Sequence, residues 1–237
     1  MALRKTSLEI KKKILSVCVR LFIEQGYNNT PINQIIKESG VSASTFQNIF
    51  HTKDAVMNEL VEFMFKSQFK TANELTPTVP SPVYVYAVET AIQLAIAESN
   101  ENLREIYIEA YSHNDSLEYI HQCTAVENYK IFKEYFPNYN QSDFYAMDIG
   151  TSGIIYGYMQ KQCNIHFTFQ QKIEQFISLA LRCYKIPEND IQNIITYVNS
   201  IDLVAAADSI IQKLFAELEM KFNFKLDIPA DHQKSLF

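Results

Sequence analysis

Residues Thr30 to Asp54, TPINQIIKESGVSASTFQNIFHTKD, decide how this chain reads. Thr30 ahead of Pro31 is a helix start: the hydroxyl can cap free N–H groups, and the proline follows where its missing N–H costs nothing. Ile32, Ile35 and Ile36 mark one apolar face over barely two turns. Gly40 comes next, where a chain turning sharply out of a helix needs a left-handed backbone. Val41 plugs the turn and Ser42 can cap a second helix, whose buried face is Phe46, Ile49 and Phe50 at spacings of three and four. The face left outward holds Ala43, Ser44, Gln47, Asn48 and His51, small and polar without being charged. That is unusual for a helix that only has to be solvated. Two short helices around a glycine turn make the helix-turn-helix, whose second helix enters the major groove of DNA and reads base edges.

Working upstream, Thr6-Ser7-Leu8-Glu9 fits a capping box and predicts a helix from there, with Ile10, Ile14, Val17, Cys18, Leu21 and Phe22 on one face and an end near Gly26. Arg4, Lys5, Lys11, Lys12 and Lys13 decorate its other faces, either as a solvated surface or as phosphate contacts. Downstream, Thr52 caps a helix with Val56, Leu60, Phe63 and Met64 as its stripe, running to about Leu75. Lys53 in its first turn opposes the helix dipole, and a phosphate lying at that end would account for it.

The charge distribution supports this division. Formal net charge is −6, yet the first 70 residues hold 10 Lys+Arg against 6 Asp+Glu while the remainder holds 11 against 21. A basic end on an acidic body implies two jobs. The 47% hydrophobic content with only 5 Gly and 7 Pro favours an all-α protein. Cys18, Cys123, Cys163 and Cys183 lie far apart without a C-x-x-C pair, which fits free thiols in a reducing compartment, with a redox sensor as the alternative. No run approaches the ~20 apolar residues that span a bilayer, so a cytoplasmic protein with no membrane partner is expected.

Gly26-Tyr27, Thr30, Ile35, Gly40-Val41-Ser42, Thr45, Phe50 and Lys53-Asp54 stand in the order and spacing of the N-terminal domain of TetR-type (TetR/AcrR) transcriptional regulators. The resemblance covers roughly Ile10 to Leu60, about a fifth of the chain. It implies a three-helix DNA-binding head, a fourth helix linking it to an all-α body, a homodimer, and release from DNA on ligand binding. By resemblance Thr30, Ser42, Ser44, Thr45, Gln47, Asn48 and His51 face DNA, and Lys53 meets a phosphate. The sequence departs from the family where Ser44 replaces a frequent Gly, Gln47 a frequent Tyr and Ile49 a frequent His. Losing the tyrosine removes a phosphate contact, while Gln47 adds a potential reader of adenine.

Pro77, Pro80 and Pro82 interrupt the helical pattern, which resumes with Val85, Val88, Ile92 and Ile96. Further helices are expected from Asn102 to near Asn114, and from a cap at Asp115 to before Pro137. The helix from Ser142 to about Gln162 contains Gly150, Gly153 and Gly157, each costing it ~0.5–1 kcal/mol relative to alanine. Close packing against a neighbouring helix, or room for a ligand, would offset that. Thirteen of the 14 tyrosines lie beyond residue 80. Tyr107, Tyr111, Tyr129 and Tyr156 with Gly153 are candidates to line an effector pocket, the alternative being ordinary core. Glu105 and Glu109 read as a solvated acid pair. Phe176, Ala180, Ile210, Leu214 and Leu218, within residues 169–222, are candidate dimer contacts, the alternative being an intramolecular core.

The expected plan is therefore an all-α chain with a helix-turn-helix head over residues 1–52, a connecting helix over 53–76, an effector-binding and dimerisation body over 77–222, and a tail over 223–237. The expected partners are double-stranded DNA, a second copy and an unknown small-molecule effector, with no cofactor and no metal. Repression relieved by ligand is the leading function, with a ligand-dependent activator or a protein-docking body as alternatives. No catalytic constellation is evident; a pocket holding strongly perturbed titratable groups would revive an enzyme reading.

Overall fold

The computed structural model describes residues 2–220 together with Phe224 and Leu226, with side chains from residue 7 onward. Eleven helices occur among the described residues, with no strand. Helices α1 (Ala2–Gln25), α2 (Ile32–Ser39) and α3 (Ala43–Ile49) form the head. Helix α4 (Lys53–Leu75) leads into the body of α5 (Val83–Ser99), α6 (Glu101–Ala110), α7 (Asn114–Phe132), α8 (Gln141–Gln160), α9 (Phe169–Cys183), α10 (Glu188–Asn199) and α11 (Leu203–Glu217).

The body is assembled around α5. Sixteen of its seventeen residues are buried, Glu89 and Glu98 among them, so the one-sided stripe expected from Val85 to Ile96 understates a helix enclosed on all sides. Helices α4, α6, α8, α9, α10 and α11 all pack on it. Glu98 is neutralised by Lys172 at 2.6 Å and Arg104 at 3.5 Å, both buried. Phe132 stacks on Tyr184 with centroids 4.0 Å apart, and Tyr86 meets both rings edge-on. The Tyr197 hydroxyl donates to the Leu75 carbonyl at 2.6 Å and fastens the end of α4 to α10.

Several helix boundaries differ from expectation. Helix α1 begins at Ala2, so Thr6 lies inside it; the Thr6 side chain, with those of Arg4 and Lys5, is outside the described residues, as is nearly all of the expected tail. Helix α7 is entered from His113, which leaves Asp115 in its first turn and not at the cap. Thr52 and Asp202 do cap their helices, accepting from the amides of Ala55 and Ala205.

The five expected dimer contacts lie inside a single chain. Phe176, Ala180 and Ile210 are fully buried, and Leu214 and Leu218 nearly so. These five side chains are thus intramolecular core, because α9, α10 and α11 all close on the sides of α5. No single described helix is long and apolar enough to cross a membrane. Burial pushes the Cys18 thiol far up and that of Cys163 to about 12, which keeps both unreactive, whereas Cys183 is exposed.

Candidate DNA interface and effector chamber

The head follows from its turns. Gly40 adopts φ +62°, the left-handed geometry the turn between α2 and α3 requires. Ser42 Oγ then accepts from the Thr45 amide at 3.1 Å and starts α3. Phe46 and Phe50 are buried in the core, with Ile49 half-buried and packed against it. Ser42, Ala43, Ser44, Gln47, Asn48 and His51 are all exposed, with Thr45 partly so. The Ser42 hydroxyl lies 2.8 Å from those of both Ser44 and Thr45, a small polar cluster at the N-terminus of α3. His51 ends the segment at φ +59°, a backbone state that few side chains adopt and histidine tolerates better than most.

Two of the expected DNA contacts point inward instead. Thr30 is fully buried and does not cap α2; its hydroxyl donates back to the Gly26 carbonyl at 2.7 Å and closes the turn leaving α1. Lys53 donates to the carbonyls of Tyr27 at 2.8 Å and Thr30 at 3.2 Å, with its ammonium 3.9 Å from the centre of the Tyr27 ring. The carbonyls answer the dipole conflict that the sequence posed: they, and not a phosphate, hold the cation. Desolvation lowers the Lys53 pKa. The exposed cations beside the α2–α3 turn are Lys37 and Lys13, whose ammonium lies 3.4 Å from where a Gly40 side chain would begin. Neither forms an ion pair among the described residues, whereas Lys11 is held by Glu59 and Arg20 by Glu24 and Glu38.

The same turn joins head to body. Glu105 of α6 accepts from the amides of Tyr27 at 3.0 Å and Asn28 at 3.2 Å, and from the Asn28 side chain at 2.6 Å. Glu109 takes the Asn28 side chain at 2.7 Å and meets His113 Nε2 at 3.0 Å. The Tyr27 hydroxyl donates to Asp54. Gly26 sits at φ +87°, and a side chain there would begin 2.2 Å from Glu105 Oε2. Glu105 and Glu109 are therefore not a solvated pair. The sequence signal for this was Gly26-Tyr27 itself, a turn rich in unpaired amides that needs an acceptor.

Behind that contact lies an apolar cleft of about 70 Å³. Leu60, Met64 and Phe65 of α4, Ile96 of α5, Leu103, Ile106 and Tyr107 of α6, Tyr111 just past its end and Ile120 of α7 line it. Gln68 donates to the Tyr107 hydroxyl, and Tyr111 donates to Gln93 Oε1 at 3.0 Å. Of the five expected pocket residues, Tyr107 and Tyr111 are here. Tyr156 is adjacent, parallel to Tyr111 with centroids 6.5 Å apart. Tyr129 instead packs edge-on against Phe144, and Gly153 is exposed. A Cβ added at Gly150, Gly153 or Gly157 would meet nothing within 4 Å, so among the described residues neither a neighbouring helix nor a pocket offsets these glycines.

A second, polar cavity of about 20 Å³ adjoins the cleft, sharing Gln93, Tyr111, Ile120 and Thr124 with it. Glu89, Thr90, Asp148, Thr151 and Ser152 face it. Burial pushes the Glu89 carboxyl up to about 8 and raises that of Asp148. Asp148 Oδ2 is 2.7 Å from His121 Nδ1. Sequence periodicity missed these acids because each lies on a helix face that reads as continuous with the core. Among the described residues, no three His, Cys, Asp or Glu side chains gather as a metal site.

Comparison with known proteins bears on the head. Residues 14–60 match the family model of bacterial regulatory proteins of the tetR family. An uncharacterised HTH-type transcriptional regulator, YuxN of Bacillus subtilis (strain 168), is 25% identical over 84 residues, 35% of this chain and 29% of the relative. The chain thus matches less than a third of that relative's length. Two crystal structures of a gamma-butyrolactone receptor (ArpA-like protein) align over 81% of this chain and 96% of theirs, at 11% identity with TM-scores of 0.46 and 0.44. The matched segment spans the second half of α1, the turn after it, both short helices and the first two turns of α4, and with it residues 14–60 carry the helix-turn-helix head of the bacterial TetR regulatory family.

Proposed function

We propose that this protein is a homodimeric DNA-binding transcriptional regulator, a repressor released from an inverted-repeat operator by a small ligand in the chamber. The observation that carries the reading is the outward face of α3: Ser44, Gln47 and Asn48 are exposed and uncharged on a helix whose start is capped and whose other face is buried, with His51 exposed just past its end. Ser42, Ala43 and Thr45 complete the surface offered to DNA. Lys13 and Lys37 take the phosphate role, since Thr30 and Lys53 are committed to the turn behind α3. Gln47→Ala is expected to relax sequence preference in a selection from random duplexes while leaving non-specific binding intact. An unchanged selected motif would remove Gln47 from the reading set.

The dimer face belongs on α8. Ala146, Ile149, Gly150, Gly153 and Gly157 lie along its exposed side, and Ile149 is 55% exposed. Among the described residues nothing packs against these glycines, and a second copy packed closely against α8 would.

The switch runs through α6 as well as α4. Both line the cleft, α6 holds the head by Glu105 and Glu109, and α4 holds it by Lys53 and Asp54. A ligand that displaces α6 changes the restraint on the α1–α2 turn and so the separation of two heads, which requires differential affinity of commonly 1–3 kcal/mol between the two arrangements. The cleft supports a ligand in preference to a protein docked on the body. Glu89 meets the condition for an enzyme reading, but the cavity around it is lined by rings, isoleucines, an amide, hydroxyls and Asp148, with no Cys, Lys or His among those lining residues to serve or activate a nucleophile. Binding, not catalysis, is the use proposed for it.

A further inference from the structure

We infer that the ligand of this chamber is an amphipathic cation, its apolar body among Leu60, Met64, Ile96 and Ile106 and its protonated nitrogen directed at Glu89 and Asp148. This rests on the reading of the chamber as the effector site and names the chemistry that site selects.

Helix α5 carries two buried acids that are treated differently. Glu98 has Lys172 and Arg104. Glu89, 2% exposed, accepts one hydrogen bond, from Gln93 Nε2 at 2.5 Å, and pairs with no Lys, Arg or His among the described residues. A carboxyl enclosed without a cation costs the fold several kcal/mol, where an apolar side chain of similar size would cost none. Stability alone does not account for it. The groups around the cavity have the same bias. Helix α5 also presents Tyr86, α6 and the residue that follows it present Tyr107 and Tyr111, α8 presents Asp148, and α4 and α9 contribute the phenyl rings of Phe69 and Phe176. The imidazole of His121 on α7 is already engaged by Asp148. With the one imidazole already engaged, no free cation among the described residues faces an anion here, and an ammonium is the ligand group that gains an ion pair from Glu89, where a neutral ligand gains a hydrogen bond alone. The hydroxyls of Thr90, Thr151 and Ser152 can take the remaining N–H groups of an ammonium.

The proton balance is explicit. Burial holds the empty Glu89 carboxyl protonated at neutral pH, since its value is raised to about 8. Entry of an alkylammonium forms an ammonium–carboxylate pair, and the carboxyl proton leaves for solvent.

The test uses the full chain with hexylammonium, hexanol and hexanoate at pH 7, followed by calorimetry in two buffers of different ionisation enthalpy. Hexylammonium is expected to bind roughly tenfold or more tighter than hexanol, with hexanoate weakest and about one proton released per ammonium bound. Glu89→Gln should bring ammonium and alcohol to within about twofold and abolish the release, while its retained alcohol binding reports an intact fold. Proton release by the unmodified protein needs no variant. Equal binding of alcohol and ammonium, or tightest binding of hexanoate, overturns the cation assignment alone. Failure of all three to bind removes the chamber as the effector site and this inference with it.

Discussion

Replacing Glu89 by glutamine should change how stability depends on pH, and the size of the change follows from burial. The folded carboxyl titrates at about 8 against an ordinary 4.5, because burial disfavours its charged form and the nearby Asp148 adds to the effect. The folded state therefore binds the proton more tightly than the unfolded chain. Its stabilising contribution is complete below about pH 4.5 and is lost progressively as pH rises through 8. At ~1.4 kcal/mol per unit, the wild-type protein loses ~4–5 kcal/mol across that span that the Glu89→Gln protein keeps. The glutamine amide has its own desolvation cost of ~1–2 kcal/mol, the same at every pH, so it offsets the curves without tilting them. Urea midpoints measured from pH 4 to pH 9 on both proteins read the difference directly. The two should diverge steadily above pH 5 and stop diverging near pH 8.5. Parallel curves would mean that Glu89 is solvated or paired, and would refute both its burial and its place in the chamber.

Lys13→Ala with Lys37→Ala should weaken binding to all duplexes alike and reduce the slope of log affinity against log salt by roughly 4 for a dimer, two contacts from each head; Lys53→Ala should leave the slope unchanged and lower thermal stability, because its partners are backbone carbonyls. Gly26→Ala places a methyl carbon 2.2 Å from Glu105 Oε2 at a positive φ, and should cost ~1–3 kcal/mol and raise hydrogen exchange at the Tyr27 and Asn28 amides. At Gly153→Leu the first side-chain carbon has no neighbour within 4 Å among the described residues, so the change should stabilise isolated helix α8 by up to ~1 kcal/mol yet shift sedimentation toward monomer; an undisturbed dimer would place the two-fold contact elsewhere.

Much of the head was legible in local sequence because its determinants are local. A glycine in a left-handed turn, a serine three residues before an amide it caps, and phenylalanines spaced by four act within a few residues of themselves. The capped start of α4, the proline break after it and the all-helical body were legible for the same reason. Partner choice was not. Lys53 carries the same charge whether it meets a phosphate or two carbonyls, and Thr30 the same hydroxyl whether it caps forward or closes the turn behind it. Glu105 and Glu109 read as a solvated pair until α6 is placed against the turn some 80 residues earlier in the chain. The stripes of α9 and α11 are apolar whether they meet a second copy or α5, and only the enclosure of α5 on all sides assigns them to the core. Local spacing thus determined which helices form and which of their faces are apolar. The tertiary structure decided what each face and each charge meets, because those contacts are made across the chain by residues that no local pattern links.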